Sequence, residues 1–235
     1  MKNSVLILAG GLGTRLGKLT EFIPKSMVQI NNKPFFYHQL NLLKKRGVKN
    51  IHFCLGHHSD ILMNSIKKTI FYKDLNISFS NDGKKLLGTG GAVKNAFEYI
   101  TDEFFVMYGD SYLDVDLKNI LRFFKKNKNN QEGLMTVFKN NKKYDTSNVI
   151  FKNNYVINYS KVNLLDEMNY IDYGLGILNK KHFKNFKNNQ PFDLSILYEN
   201  LCIQSSLIGF EVNTRFYEVG SLEGIKDLSN YLNKN

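Results

Sequence analysis

At 235 residues, with 32 Lys and Arg against 21 Asp and Glu for a net charge of +11, the chain can bury one substantial α/β core and suits a polyanionic partner. Much of the excess lies in Lys and Asn mixtures such as 125–130 and 184–189, which read as solvated helix ends and loops rather than a basic stripe interleaved with aromatics, so nucleic acid is not the expected partner. No apolar run approaches the ~18 residues of a membrane helix, which argues against a membrane partner.

The first predicted element is a buried strand at 5–8, Val-Leu-Ile-Leu, running into a glycine-rich turn at Gly10, Gly11 and Gly13, then Thr14, Arg15 and, further on, Lys25. Glycines let the backbone approach a ligand closely, and converging N–H groups with two cations suit an anion. Two familiar loops are excluded. The dinucleotide fingerprint fails because Leu16 stands where its third glycine belongs, and the P-loop fails because Leu19 follows Lys18 where Ser or Thr is required. From these residues alone a phosphate cradle and a plain strand-to-helix turn both stay open.

A helix is expected from Pro34, with Phe36, Leu40 and Leu43 on one face and Gly47 ending it. A strand at 51–55 follows, then a helix capped by Ser59 and running to Ile70, and a short strand at 77–80. A second glycine segment at 86–92 opens a helix carrying Val93, Ala96, Phe97 and Ile100. Phe104-Phe105-Val106-Met107-Tyr108 reads as a strand buried on both faces, and it runs directly into Gly109-Asp110, where open parallel sheets place ligand chemistry. Asp116, more than Asp114, is placed to cap the next helix at Leu117, Ile120, Leu121 and Phe124.

The first 125 residues thus alternate strand and helix as a doubly wound sheet does. Beyond Gly133 short strands dominate, at 134–138, 148–151, 155–159 after an Asn153-Asn154 turn, and 170–178. Helical spacing returns at Leu194, Leu197, Tyr198 and Leu201 and at Ile225, Leu228 and Leu232. No linker or repeat separates domains, so 1–235 is read as one domain with a nucleotide-binding half, 1–125, and a sugar-phosphate-binding half, 126–235, those two roles following from the resemblance described below. Cys54 and Cys202 stand far apart in apolar runs and read as free thiols, and 1–9 is too short a hydrophobic stretch for a leader, so the cytoplasm is the expected compartment. Cys54, His57 and His58 lack a fourth ligand at a recognised spacing and are not read as a metal site.

Four signatures in order, LAGGLGTRL at 8–16, Pro24-Lys25, LGTGGA at 87–92 and Tyr108-Gly109-Asp110, resemble the sugar-1-phosphate nucleotidyltransferases, or NDP-sugar pyrophosphorylases. Within them the chain looks closest to the bacterial guanylyltransferases acting on mannose or heptose 1-phosphate. The resemblance implies a Rossmann-like doubly wound mixed sheet of the nucleotide-diphospho-sugar transferase type with no C-terminal β-helix. It also implies transfer of a nucleotidyl group from GTP to a sugar 1-phosphate with Mg2+ as cofactor. By the same resemblance Leu8, Ala9, Gly10, Gly11, Gly13, Thr14, Gly88 and Thr89 bind nucleotide, Arg15 and Lys25 are catalytic, and Asp110 and Glu218 bind metal. Lys161, Asp172 and Gly174 hold the sugar phosphate. Two departures stand out: Glu218 replaces the usual Asp, and Ser160 replaces the usual Glu before Lys161. They keep open a cytidylyltransferase or thymidylyltransferase with another phosphorylated substrate, and a regulatory protein that binds nucleotide without turnover is the reading from a different class. Capsule or lipopolysaccharide supply is the implied role.

Overall fold

A computed structural model describes residues 3–11, 13–83, 85–128 and 132–234, so Leu12 of the glycine turn, and Asn129 and Asn130 of a Lys/Asn mixture, lie outside the described residues. Four parallel strands form one side of a nine-stranded sheet: β1 (Val5–Ala9), β4 (Asn50–Leu55), β5 (Asn76–Asn81) and β6 (Glu103–Tyr108), in the spatial order β5-β4-β1-β6. Two short hairpin partners, β2 (Gln29–Ile30) and β3 (Lys33–Pro34), precede α1 (Phe35–Lys45). The chain winds outward from β1 through α1, α2 (Ser59–Lys67) and α3 (Ile70–Asp74), then recrosses by α4 (Gly88–Asn95) to place β6 on the other flank of β1. That reversal between β1 and β6 is the crevice where such sheets bind ligands.

Alternation along the strands decides which helices cover which face. Val5, Ile7, Phe105 and Met107 pack with α1, α2 and α5 (Leu117–Asn127), while Leu6, Phe104 and Val106 pack with α4 and α6 (Leu194–Ile203). The later strands continue the sheet as β11-β8-β12-β10-β9, with β8 (Gly133–Lys139), β9 (Val149–Lys152), β10 (Tyr155–Tyr159), β11 (Tyr170–Asn179) and β12 (Leu207–Val212). β11 runs antiparallel to β6 and β8, whereas β12 runs parallel to β8, so the sheet is mixed. β7 (Ser111–Tyr112) and β13 (Tyr217–Glu218) pair apart from it, and α7 (Leu222–Lys234) closes the chain against Ile30, Phe35 and Tyr112.

Four local expectations change, the first being that the helix opened by the second glycine segment ends at Asn95, so that Phe97 lies in a 3-10 turn, Phe97–Tyr99, and Ile100 is extended. Ser59 does not cap its helix, because its hydroxyl accepts from Asn81 Nδ2 at 2.7 Å and His58 precedes the helix with φ 54°. The helix expected through Ile70 breaks at Lys68–Thr69, where the Thr69 hydroxyl donates to the Ile66 carbonyl at 2.7 Å. After Gly13 the chain forms a 3-10 segment, Thr14–Thr20, kinked at Gly17 with φ 52°, instead of an α-helix. Asp116 does cap α5, accepting from the Lys118 and Asn119 N–H groups at 2.9 and 3.2 Å. Asn153 and Asn154 take φ 51° and 64°, as a tight hairpin turn requires.

Candidate active site

At the carboxyl ends of β1 and β6 lies a cavity of about 230 Å3 lined by Leu8, Ala9, Gly10, Gly11, Lys25, Gly88, Thr89 and Asp110, all singled out from sequence. Its lining also includes Tyr108, Cys54, Asp82 and Leu86, which sequence reasoning missed. Close backbone approach shapes the mouth. The Gly10 carbonyl stands where a Cβ on Gly56 would lie, 2.6 Å away, and a Cβ on Gly109 would lie 2.7 Å from the Leu8 carbonyl oxygen. A Cβ on Gly11 would meet nothing within 4 Å, so its bare backbone borders open space suited to a ligand. Gly13 and Thr14 stand outside the lining; the Gly13 carbonyl, at φ 67°, accepts from the Thr20 hydroxyl at 2.8 Å.

Lys25 Nζ donates to Asp110 Oδ2 at 2.8 Å, with 17% and 24% of the two side chains exposed, enough access for either to meet a ligand. Glu218 comes to the same place by pairing of β13 with β7, which sets Glu218 opposite Ser111, and by the Val219 N–H donating to the Asp110 carbonyl at 2.9 Å. Burial raises the Glu218 carboxyl above its ordinary range and Asp110 adds to that, while Arg15 and Lys25 oppose it. Arg15 is exposed and reaches the same corner: a Cβ on Gly220 would lie 3.3 Å from Glu218 Oε1 and 3.4 Å from Arg15 Nη2. Two acids and two cations from four separate stretches of chain therefore converge.

The 86–91 segment, or 86–91 loop, is a turn running into the first residues of α4, and it is braced from behind. The Gly90 and Gly91 N–H groups donate to the Phe192 carbonyl at 2.9 and 3.4 Å, and the Thr89 hydroxyl accepts the Leu194 N–H at 2.7 Å. Asp82 accepts the Leu87 N–H at 3.0 Å, which offsets part of the rise that burial imposes on its carboxyl.

Lys161, Asp172 and Gly174 gather around Tyr108. The register of β11 against β8 shifts between Asp172 and Gly176, and Gly174, at φ 91°, places its Cα side against the Tyr108 ring, where a Cβ would lie 3.3 Å from Cδ2. Lys161 Nζ lies 5.6 Å from the centre of that ring and 3.2 Å from Asp193 Oδ1. Burial raises the Asp172 carboxyl, and the Gly174 N–H at 2.9 Å and Lys161 oppose this. The Tyr108 and Tyr159 hydroxyls are buried with no hydrogen-bond partner among the described residues, an arrangement that a polar ligand would relieve. Ser160 does not replace the carboxylate it stands for, since its hydroxyl accepts the Val162 and Asn163 N–H groups at 3.2 and 3.0 Å.

Cys54 is buried and its Sγ donates to the Ala92 carbonyl at 3.4 Å, and no group of three or more His, Cys, Asp or Glu among the described residues could hold a metal. No helix among the described residues is long and apolar enough to cross a membrane. The sequence signals for Asp193 and Asp82 are slight, an acid before a helical run and an acid before Gly83, and neither announces a site.

The nucleotidyl transferase family matches residues 4–154. A D-glycero-alpha-D-manno-heptose 1-phosphate guanylyltransferase of Campylobacter jejuni is 30% identical over 199 residues, 83% of this chain and 85% of that protein. Its namesake from Aneurinibacillus thermoaerophilus is 29% identical over 221 residues, 92% of each. The crystal structure of HddC from Yersinia pseudotuberculosis complexed with GMP-PN matches with a TM-score of 0.78 at 26% identity, covering 98% of this chain and 99% of that one.

Proposed function

The chain belongs to the nucleotidyl transferase family, and on that premise we propose that it joins GTP to mannose or heptose 1-phosphate, releasing pyrophosphate. The observation that carries the reading is the convergence of the glycine backbone, the Lys25–Asp110 pair, Glu218 and Arg15 at the junction of β1 and β6. In the reaction a phosphate oxygen of the sugar 1-phosphate bonds to the α-phosphorus of the triphosphate, and the bond from that phosphorus to the bridging oxygen breaks. No side-chain nucleophile is required, so the protein's part is alignment and charge stabilisation.

The backbone at Gly10 and Gly11 cradles the triphosphate, and Gly88 and Thr89 meet the base largely through their backbone. Arg15 offers a planar fork to the departing pyrophosphate, and Lys25, a movable point charge, follows the α-phosphate as its charge rises. Lys161 holds the sugar phosphate, and Asp172 with the unpartnered Tyr108 and Tyr159 hydroxyls faces the sugar. Two half-buried carboxylates at one corner, one of them raised partly by the other, suit a hard oxygen-seeking cation, and Asp110 and Glu218 would hold Mg2+. When bound it neutralises phosphate charge. The product feeds capsule or lipopolysaccharide assembly from the cytoplasm.

The test is pyrophosphate release with each of the four NTPs against a panel of sugar 1-phosphates in Mg2+. The expected result is turnover with GTP and a manno-configured sugar phosphate, lost in Asp110→Asn while nucleotide binding persists. Turnover with CTP or dTTP alone would move the base assignment, and turnover with no pair would overturn the enzymatic reading in favour of a nucleotide-binding regulator.

A further inference from the structure

The 86–91 loop and Lys161 belong to different halves of the chain, yet residues 190–194 touch both. On one side the strap is bound to the loop: besides the two glycine N–H groups on the Phe192 carbonyl, the Phe192 N–H donates to the Leu87 carbonyl at 3.0 Å. The fit leaves no slack, since a Cβ on Gly88 would lie 2.6 Å from the Phe192 carbonyl oxygen and one on Gly90 2.1 Å from the Phe192 ring. The Thr89 hydroxyl takes the Leu194 N–H, a first-turn donor of α6 with no partner inside its own helix.

On the other side the residue between those two anchors, Asp193, is the N-cap of α6. Its Oδ1 accepts the Ser195 N–H at 2.8 Å and also Lys161 Nζ at 3.2 Å. One carboxylate oxygen therefore ends the helix and holds the cation. Burial works to raise the Asp193 carboxyl, but the Ser195 N–H and Lys161 outweigh it and the net shift is downward, so the group is ionised at neutral pH. Lys161 has a long flexible stem and, apart from the Tyr108 ring, this is its described contact that limits where the ammonium goes.

We propose that Thr89 and Asp193 are positioning residues that tie the nucleotide loop to Lys161 through the first turn of α6, so that a side chain in the nucleotide loop sets affinity for the second substrate. The inference rests on the reading of Lys161 as the sugar-phosphate cation. It makes Thr89 unusual among the loop residues: its backbone borders the nucleotide cavity while its hydroxyl acts on the far side.

Steady-state kinetics with GTP and the preferred sugar 1-phosphate tests it. Thr89→Val removes the acceptor at nearly constant shape, and Asp193→Asn keeps an oxygen for the Ser195 N–H while removing the charge from Lys161. Each should raise the KM for sugar 1-phosphate about tenfold, and Asp193→Asn, at a position outside the nucleotide cavity, should leave the KM for GTP within about twofold. Thr89→Ser, which folds with the hydroxyl in place, should restore the original value, and the double variant should fall short of the product of the single effects because both act on one path. A rise in the KM for GTP with that for the sugar phosphate unmoved, or no change in either, overturns the inference while leaving the enzymatic reading intact. Absence of turnover by the unaltered protein with every substrate pair takes both down.

Discussion

Glu218 sits where burial and Asp110 oppose its ionisation, and the cations Arg15 and Lys25 only partly compensate. Its carboxyl is raised above the ordinary value of 4.5, so the folded chain holds that proton more tightly than the unfolded chain does. Stability from this group therefore falls as pH rises from about 4.5 through the raised value, and the whole cost is present above it. Glu218→Gln removes the cost. In metal-free buffer the variant should melt above the original protein at neutral pH, with the difference closing as pH falls through the window toward 4.5. Added Mg2+ should raise the melting temperature of the original protein and leave the variant nearly unmoved. An equal Mg2+ response would remove Glu218 from the metal site, and equal melting temperatures in metal-free buffer at neutral pH would show that its ionisation carries no cost in the folded chain.

At the scale of elements, the two glycine-rich stretches do different work although they look alike in sequence. In the 86–91 loop the missing side chains make room for protein: Phe192 and Gln190 occupy the space that Cβ atoms on Gly90 and Gly91 would need. At Gly11 the missing side chain faces open space. Gly90→Ala should accordingly lower stability by about 1–3 kcal/mol, read by chemical denaturation, since an aromatic ring and its strap must shift. Gly11→Ala should leave stability within about 0.5 kcal/mol and weaken nucleotide binding. The opposite pattern would show that the second loop, not the first, exposes its backbone to ligand. The pairing of β7 with β13 is the other decisive element, since two residues on each side suffice to bring Asp110 and Glu218 together.

Across the whole molecule the sheet is continuous from β5 to β9, with β6 and β11 joined through Leu175–Met107 to Asn179–Glu103 in register. The first half of the chain, 1–125, and the second, 126–235, therefore share backbone hydrogen bonds at the centre of the sheet, and α6 covers β10 and β12 while its first turn braces the 86–91 segment. We expect thermal unfolding in a single transition reported alike by far-ultraviolet and aromatic signals. GTP at 100 times its dissociation constant should add about 2.7 kcal/mol and move that one transition upward by roughly 5–10 °C. Two transitions, only one of them shifted by GTP, would show that the halves fold separately.

Local chemistry settled much in advance. The buried strands at the two ends of the switch point, the Asn153-Asn154 turn and the Asp116 cap depend on neighbours within a few residues, so composition and spacing suffice to place them. Gly10, Gly11 and Asp110 line the cavity because each stands within a few residues of a strand's carboxyl end, whereas Lys25, beyond a 3-10 segment, was legible only through the Pro24-Lys25 signature of the resemblance. What depends on partners a hundred residues away was not: Ser59 loses its capping role to Asn81, LIGFEV forms the unforeseen β12, and Glu218 acquires its place only when β13 finds β7. Asp193 reads as a helix cap until the fold brings Lys161 to the same oxygen. A one-dimensional pattern records which way a side chain faces, whereas which groups meet is decided by sheet order and register, and those are properties of the assembled core.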